Sequence, residues 1–277
     1  MRIAGALTLI WLQLSVAPEG ERWLTELLAR AEGVDPSVRA TALATLGMVA
    51  GVQNEVDLAE RSSSEALEHF RAAGHEAGIA WTLSTLAVAP LERGEPEAAA
   101  PMLAEAEALH RKLGNDGGIR RILHLRGLQA VLVGDLAGAS ELLRESGELS
   151  AAAGDEFSAA SSFHSLGDVL LAAGDPGAAA GSYARALEIA ARTGADRLVC
   201  YCIAGFAAVA VERGDAERAA RLWGFAEAYE ARLGFSMRWR ALYEERLAGL
   251  AESQGDVYRA GRELDLQDAV ELALQAS

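Results

Sequence analysis

Apolar and polar positions follow the 3.6-residue period of amphipathic helices along most of the chain, and glycines interrupt this pattern at a fixed spacing. The segments between the glycines are rich in Ala, Leu, Glu and Arg, which favour helix. A glycine inside a helix costs about 1 kcal/mol relative to alanine. Glycines that recur at a fixed spacing are therefore expected in the turns between helices. The pattern therefore predicts helices of roughly 16–18 residues joined by short turns. Successive glycines of the series lie 20 residues apart: Gly74, Gly94, Gly114, Gly134, Gly154, Gly174, Gly194, Gly214 and Gly234.

The turns alternate between two kinds, which doubles the true period to 40 residues. In one kind an acid directly follows the glycine, as in Gly174-Asp175, where it can cap the next helix. In the other kind the acid comes two residues later, as in Gly154 and Glu156, where it suits the dipole of the first helical turn. A helix pair repeated at this period predicts a solenoid.

Equivalent positions in successive repeats, 40 residues apart, form a column. The residues of one column are mostly of similar size, and this identifies the type of repeat. Within the second helix of each pair a small column, a bulky column and another small column follow one another, as in Ala179, Tyr183 and Ala186. The first helix carries a small column too: Gly47, Ala87, Gly127, Gly167 and Ala207. This arrangement resembles the tetratricopeptide repeat, whose usual period is about 34 residues. The predicted fold is all-α: a tetratricopeptide-like right-handed α-solenoid of antiparallel helix pairs.

The predicted solenoid has about six helix pairs over residues 1–234, followed by capping helices over residues 235–277. The first sixteen residues, MRIAGALTLIWLQLSV, are predicted to form the first helix of an earlier pair. A secretory signal is the alternative, but Pro18 would directly follow the only suitable cleavage site. Two irregularities fall in central repeats: Pro90 should kink or end its helix, and Arg126, in an otherwise apolar column, needs a partner or an exit to solvent.

Both ends of the chain resemble one family. RIAGALTLIWLQLSVAPEGERWLTELLARA is similar to the start of the helical-repeat region in actinobacterial-type signal-transduction ATPases of the LuxR and antibiotic-regulator kind. ERAARLWGFAEAYEARLG, YEERLAGL and YRAGRELDLQDAVELAL resemble the end of that region. The resemblance implies a cytoplasmic regulatory role. The sequence lacks GxxxxGK[ST] and a helix-turn-helix pattern, so neither ATP hydrolysis nor DNA binding is expected of this chain.

Charge and composition exclude several classes of function. A net charge of −15 disfavours nucleic-acid binding, and the longest apolar run is too short to cross a membrane. Cys200 and Cys202 are expected to be packing residues. Glu107-x-x-His110 is half of a di-iron motif without its second copy, so His110 is expected at the surface near a helix end. We therefore expect no enzyme activity, no metal and no cofactor.

Polar and aromatic residues occupy positions on the first helices that, by the tetratricopeptide resemblance, face a concave groove. Aromatic side chains and arginine together are typical of binding hot spots. His164 and Asp168 are four residues apart and can pair, while His124 and His164 would stack in adjacent repeats and could bind an anion. The alternative is that these residues only make polar contacts between repeats. The predicted groove residues are Trp81, Ser84, Arg121, His124, Ser161, His164, Asp168 and Tyr201.

The predicted function is a non-catalytic scaffold or sensor that binds a protein or peptide segment in this groove. The sequence is also compatible with a homo-oligomer. Two alternatives stay open. One is a small-molecule or peptide-pheromone receptor that uses the same groove. The more remote one is an enzyme with a site at His164 and Asp168.

Overall fold

The structure is a computed structural model that describes residues 17–30, 33–53, 55–235 and 240–275, and within these ranges it contains helices and turns but no strand. The all-α fold class is thus confirmed. Because three-residue turns join most of the long helices, consecutive helices run antiparallel. The helices are α1 (Ala17–Ala29), α2 (Pro36–Val52), α3 (Val56–Ala72), α4 (Glu76–Leu86), α5 (Val88–Glu92), α6 (Pro96–Lys112), α7 (Asp116–Leu132), α8 (Leu136–Ala152), α9 (Glu156–Ala172), α10 (Pro176–Thr193), α11 (Asp196–Glu212), α12 (Ala216–Leu233), α13 (Arg240–Leu247), α14 (Leu250–Ser253), α15 (Gly255–Arg262) and α16 (Leu266–Leu274).

The glycine series ends the helices as predicted. All nine glycines have φ between 63° and 82°, the left-handed region that side chains disfavour. In the turns that follow, Asp175 and Asp215 accept hydrogen bonds from backbone N–H groups of α10 and α12. Glu95, at the equivalent place before α6, makes no such bond. The predicted helix over residues 1–16 lies outside the described residues.

Pro90 interrupts the first helix of its pair, as the sequence predicts. The helix stops at Leu86, turns at Ala87 and resumes as the short α5. Proline lacks the N–H of the helical ladder, and its ring clashes with the carbonyl four residues earlier. A long helix of the usual kind is thus replaced by two pieces.

The small columns allow the helices to pack closely. Gly167 of α9 and Gly205 of α11 lie on the ring of Tyr183, a fully buried residue of α10. A Cβ atom at either glycine would come within 2.5 Å of that ring. Tyr183 of the bulky column thus fills the space left by Gly167 of the small column and by Gly205, which lies outside that column.

The chain divides into two compact units, residues 1–135 and 136–277. In the first unit a continuous core runs from α2 to α7 and includes Phe70, Leu103 and Ile122. In the second unit, α13 packs on α11 and α15 packs on α12. The boundary predicted at residue 234 stays a prediction. Every helix in the described ranges is too short or too polar to serve as a membrane span.

Candidate functional site

Trp81 and Arg121 meet in the first unit. They occupy equivalent positions one repeat apart, on α4 and α7. The Cζ atom of Arg121 lies 5.3 Å from the centroid of the Trp81 ring. This is within the range of a cation–π contact, so the tryptophan holds the guanidinium in place.

The guanidinium of Arg121 is poorly compensated. Its Nε atom is buried and donates no hydrogen bond, and within the described residues the side chain has no carboxylate partner. Burial lowers the pKa of Arg121 from 12.5 to about 10. The group is still protonated at neutral pH, so the folded protein carries a cation that has lost part of its hydration.

A cavity of about 240 Å³ adjoins Trp81. Its walls come from α2, the end of α3 and the start of α4, and they are partly apolar and partly able to form hydrogen bonds. The imidazole of His75, at the rim, accepts a hydrogen bond from the Gly78 N–H through Nδ1 at 2.9 Å. The lining residues are Thr41, Ala44, Thr45, Phe70, His75, Ala77, Gly78 and Trp81.

His110 is fully buried, so the prediction of a surface position is wrong. Its ring lies on Gly118, where a Cβ atom would approach Nδ1 to 2.1 Å. The Asn115 amide lies 3.2 Å from Nδ1, while Nε2 lies 3.4 Å from the Ser84 hydroxyl. Since Asn115 Nδ2 can only donate, Nδ1 is the acceptor and Nε2 carries the proton. Burial first, and then the charge of Arg121, lower the pKa of His110, so the imidazole is neutral.

Ser84 and His124 differ from Trp81 and Arg121. Ser84 is fully buried and donates to the Ala80 carbonyl at 2.9 Å, so it does not line an open surface. His124 is half-buried on α7, about one turn beyond Arg121. The predicted stacking of His124 on His164 involves residues of both units and stays a prediction.

A second polar cluster in residues 136–277 centres on Asp168. The Oδ1 atom of Asp168 accepts hydrogen bonds from the Tyr183 hydroxyl at 2.7 Å and from the Tyr243 hydroxyl at 2.6 Å. Burial first, and then the charge of Asp168, hold the pKa values of both tyrosines well above 10. Both phenols therefore stay protonated and serve as donors.

His164 joins this cluster from the same helix as Asp168. Its Nε2 atom lies 3.2 Å from the Tyr243 hydroxyl, and because that hydroxyl donates its proton to Asp168, Nε2–H is the donor here. Its Nδ1 atom lies 3.6 Å from Asp168 Oδ2, and its ring is tilted against Tyr201 at 5.6 Å. Ser161, three residues earlier on α9, is half-buried.

The Asp168 cluster is mostly enclosed, although the Asp168 side chain is 24% exposed, and both tyrosine hydroxyls bond to Asp168 Oδ1. Tyr243 is 2% exposed, and the His164 side chain is 12% exposed. Sequence reasoning missed Tyr243 because it lies outside the repeats, 75 residues from Asp168. In this unit the geometry fits the alternative of polar contacts between helices better than an open binding surface.

A larger cavity of about 710 Å³ lies between α3, the kinked α4–α5 pair and α6. Its floor includes Leu86, Pro90 and Met102, and charged residues surround it. Arg93 bonds to Glu60 at 2.9 Å and to Glu95 at 3.1 Å, and these bonds raise its pKa. Because Arg93 and Glu60 already pair with each other, this cavity is a weaker candidate than the face of Trp81 and Arg121.

Arg126 has the partner that its place in an apolar column requires. It donates to Glu107 Oε2 from Nε at 2.8 Å and from Nη2 at 2.5 Å. Cys200 and Cys202 are buried and form no disulfide, as expected of packing residues, and the Cys200 thiol donates to the Ala226 carbonyl at 3.3 Å. Within the described part of the chain, no three His, Cys, Asp or Glu side chains are arranged to hold a metal ion.

No family model matches the sequence, and no curated protein matches it. Among solved structures, the chain is similar to the Rap conjugation gene regulator of the plasmid pLS20 in complex with the Phr* peptide. The identity is 15%, the match covers 98% of this chain and 74% of that chain, and the TM-score is 0.62. It is also similar to BtubC (BKLC) from P. vanneervenii, with 19% identity over 79% of this chain and 91% of that chain and a TM-score of 0.58. At these identities the likeness shows the helical-repeat fold alone.

Proposed function

We propose that this chain is a non-catalytic binding module that holds a segment of a peptide or protein against the surface formed by Trp81, Arg121 and the adjoining cavity. The observation that carries this function is the Arg121 guanidinium, which is stacked on Trp81 and lacks a carboxylate partner among the described residues. Aromatic and arginine side chains in partly desolvated positions contribute most of the energy at many interfaces.

The size of the cavity favours a peptide over a metabolite. Sites that enclose small molecules usually measure about 300–1,000 Å³. The cavity beside Trp81 has about 240 Å³, which suits one side chain of a ligand that continues along the surface. A small-molecule receptor is the alternative function; the cavity of about 710 Å³ has the volume for it, but neither Trp81 nor Arg121 lines that cavity.

One of the neighbouring structures supports the same class of ligand. The Rap regulator, which shares this fold, is described in complex with a peptide. The resemblance of both chain ends to signal-transduction ATPases supports a regulatory role, in which the partner is a segment of a transcription factor or signalling ATPase in the cytoplasm. An enzyme site at His164 and Asp168 has less support, because tyrosine hydroxyls already engage both groups.

A peptide-retention experiment tests this function. The full chain is immobilised and exposed to a pool of synthetic nonapeptides, and the retained peptides are identified by mass spectrometry. Trp81→Ala should weaken retention at least about tenfold, as expected for a hot-spot aromatic residue. Trp23→Ala is the matched control, because Trp23 is 49% exposed on α1 and should not affect retention.

Two results would contradict the proposal. One is the absence of any peptide retained by the wild-type chain while a pool of small metabolites is retained, which favours the receptor alternative. The other is equal loss of retention in Trp81→Ala and Trp23→Ala, which would show that binding does not depend on this surface.

A further inference from the structure

We infer that the ligand of this surface presents a carboxylate group that pairs with the guanidinium of Arg121. This inference rests on the peptide-binding function proposed above and names the chemical group that the site recognises. The group is either the C-terminal carboxylate of a peptide or the side chain of an Asp or Glu residue within it.

The first reason is that the part of the protein that the structure describes provides no counterion for this cation. Apart from the Trp81 ring, no side chain in the described ranges contacts the Arg121 guanidinium by a hydrogen bond or ion pair. Glu107, a carboxylate on the preceding helix α6, is engaged by Arg126 and Arg111. A desolvated arginine without a carboxylate is destabilising, because a cation–π contact replaces only part of the lost hydration.

The second reason is the position of the guanidinium. Nε is buried without a hydrogen-bond partner, while the Arg121 residue as a whole is only half-buried. Arg121 does not line the cavity beside Trp81, so a ligand in that cavity reaches the guanidinium by continuing past the Trp81 ring. An arginine fork binds a carboxylate through two parallel hydrogen bonds, which is stronger and more selective than contact with a point charge.

The third reason concerns the charge of the ligand. His110 lies close enough for the charge of Arg121 to lower its pKa, and this imidazole is neutral. Arg121 thus contributes one positive charge here, without help from His110. One guanidinium matches a single carboxylate, whereas a phosphate dianion calls for further cations.

Three peptide pools distinguish the two sources of the carboxylate. The first pool has free C-terminal carboxylates and contains no Asp or Glu. The second has the same sequences with C-terminal amides. The third is amidated and carries one internal Asp or Glu. We expect the wild-type chain to retain the first or the third pool at least tenfold better than the second, and whichever is retained identifies the source.

Arg121→Met and Arg121→Lys should both reduce that retention at least tenfold, because neither side chain provides the fork. Arg126→Met is the matched control on the same helix, since Arg126 already pairs with Glu107. Without ligand, Arg121→Met should raise the melting temperature by roughly 2–4 °C, because an apolar side chain replaces an uncompensated cation.

Each outcome decides the inference. Equal retention of the amidated neutral pool, or unchanged binding by Arg121→Met, would overturn the carboxylate assignment while peptide binding stands. A lower melting temperature for Arg121→Met would also overturn it, because the guanidinium would then be satisfied by the protein itself. Failure of the wild-type chain to retain any of the three pools would overturn the peptide-binding function as well.

Discussion

The hydroxyl of Tyr243 donates a hydrogen bond of 2.6 Å to Oδ1 of Asp168, a residue 75 positions earlier in the chain. The same oxygen accepts a second bond of 2.7 Å from Tyr183. One carboxylate thus joins α9, α10 and α13 within residues 136–277. Helix α13 lies beyond the glycine series, so this contact attaches the C-terminal helices to the repeats.

Tyr243→Phe should lower the free energy of unfolding by about 1.5–3 kcal/mol, the usual loss for a buried hydrogen bond to a charged group. Tyr258→Phe is a suitable comparison, because the Tyr258 hydroxyl also bonds to a carboxylate, that of Glu227, but in a more exposed place. It should cost less than about 1 kcal/mol. Urea denaturation measures both values, and an equal effect of the two substitutions would contradict the role assigned to Asp168.

The same tyrosines predict a loss of stability in alkali. Their pKa values are raised in the folded protein, so the stabilisation is complete below the ordinary value of 10 and is lost as the pH rises above it. Each raised tyrosine should contribute a fall of up to about 1.4 kcal/mol per pH unit. Arg121 opposes this trend. Its pKa is lowered to about 10, so the folded protein loses the unfavourable buried charge of Arg121 as the pH rises above that value.

Chemical denaturation of wild type and Tyr243→Phe at several pH values between 8 and about 11 tests this linkage. The difference in stability between the two proteins should be constant below pH 10 and shrink above it, since only the wild type loses the Tyr243 contribution. A constant difference over the whole range would show that the pKa of Tyr243 is not raised by folding.

Gly167→Ala should destabilise the protein by about 1–3 kcal/mol, because the added methyl group would lie 2.5 Å from the Tyr183 ring. Gly181→Ala provides the matched control within α10, where nothing beyond the local backbone of that helix lies within 4 Å of the added Cβ. There the gain in helix propensity should stabilise the protein by about 0.5–1 kcal/mol. Thermal melting of both variants measures these effects. Melting temperatures that shift in the same direction would show that close packing does not require glycine at position 167.

Arg126→Leu should change stability by less than about 1 kcal/mol, because leucine is the common residue of that column and the partner Glu107 keeps Arg111. Glu107→Leu should cost about 1 kcal/mol or more, since it leaves a half-buried guanidinium without its carboxylate. Urea titrations of both single variants and the double variant measure the coupling. If Arg126→Leu destabilises the protein as much as Glu107→Leu does, the ion pair is a net stabiliser.

The repeat could be predicted from sequence because its evidence is local. A turn glycine such as Gly174, with its left-handed backbone, and the break at Pro90 both follow from steric limits within a few residues. His110 was predicted wrongly because the prediction considered its helix alone. Its burial depends on Gly118, and the matching pair Phe70 and Gly78, one repeat earlier, was a signal that could have revealed it.

The sequence by itself determined the helical repeat, its period and the columns where helices touch, because glycine geometry and helix periodicity act over short distances. Only the tertiary structure decided which polar groups have partners. His164 and Asp168 are engaged by Tyr243, whereas Arg121 has only the ring of Trp81 among the residues that the structure describes. The physical reason is that the cost of a buried charge depends on neighbours brought from other helices, and their arrangement is fixed only when the helices pack.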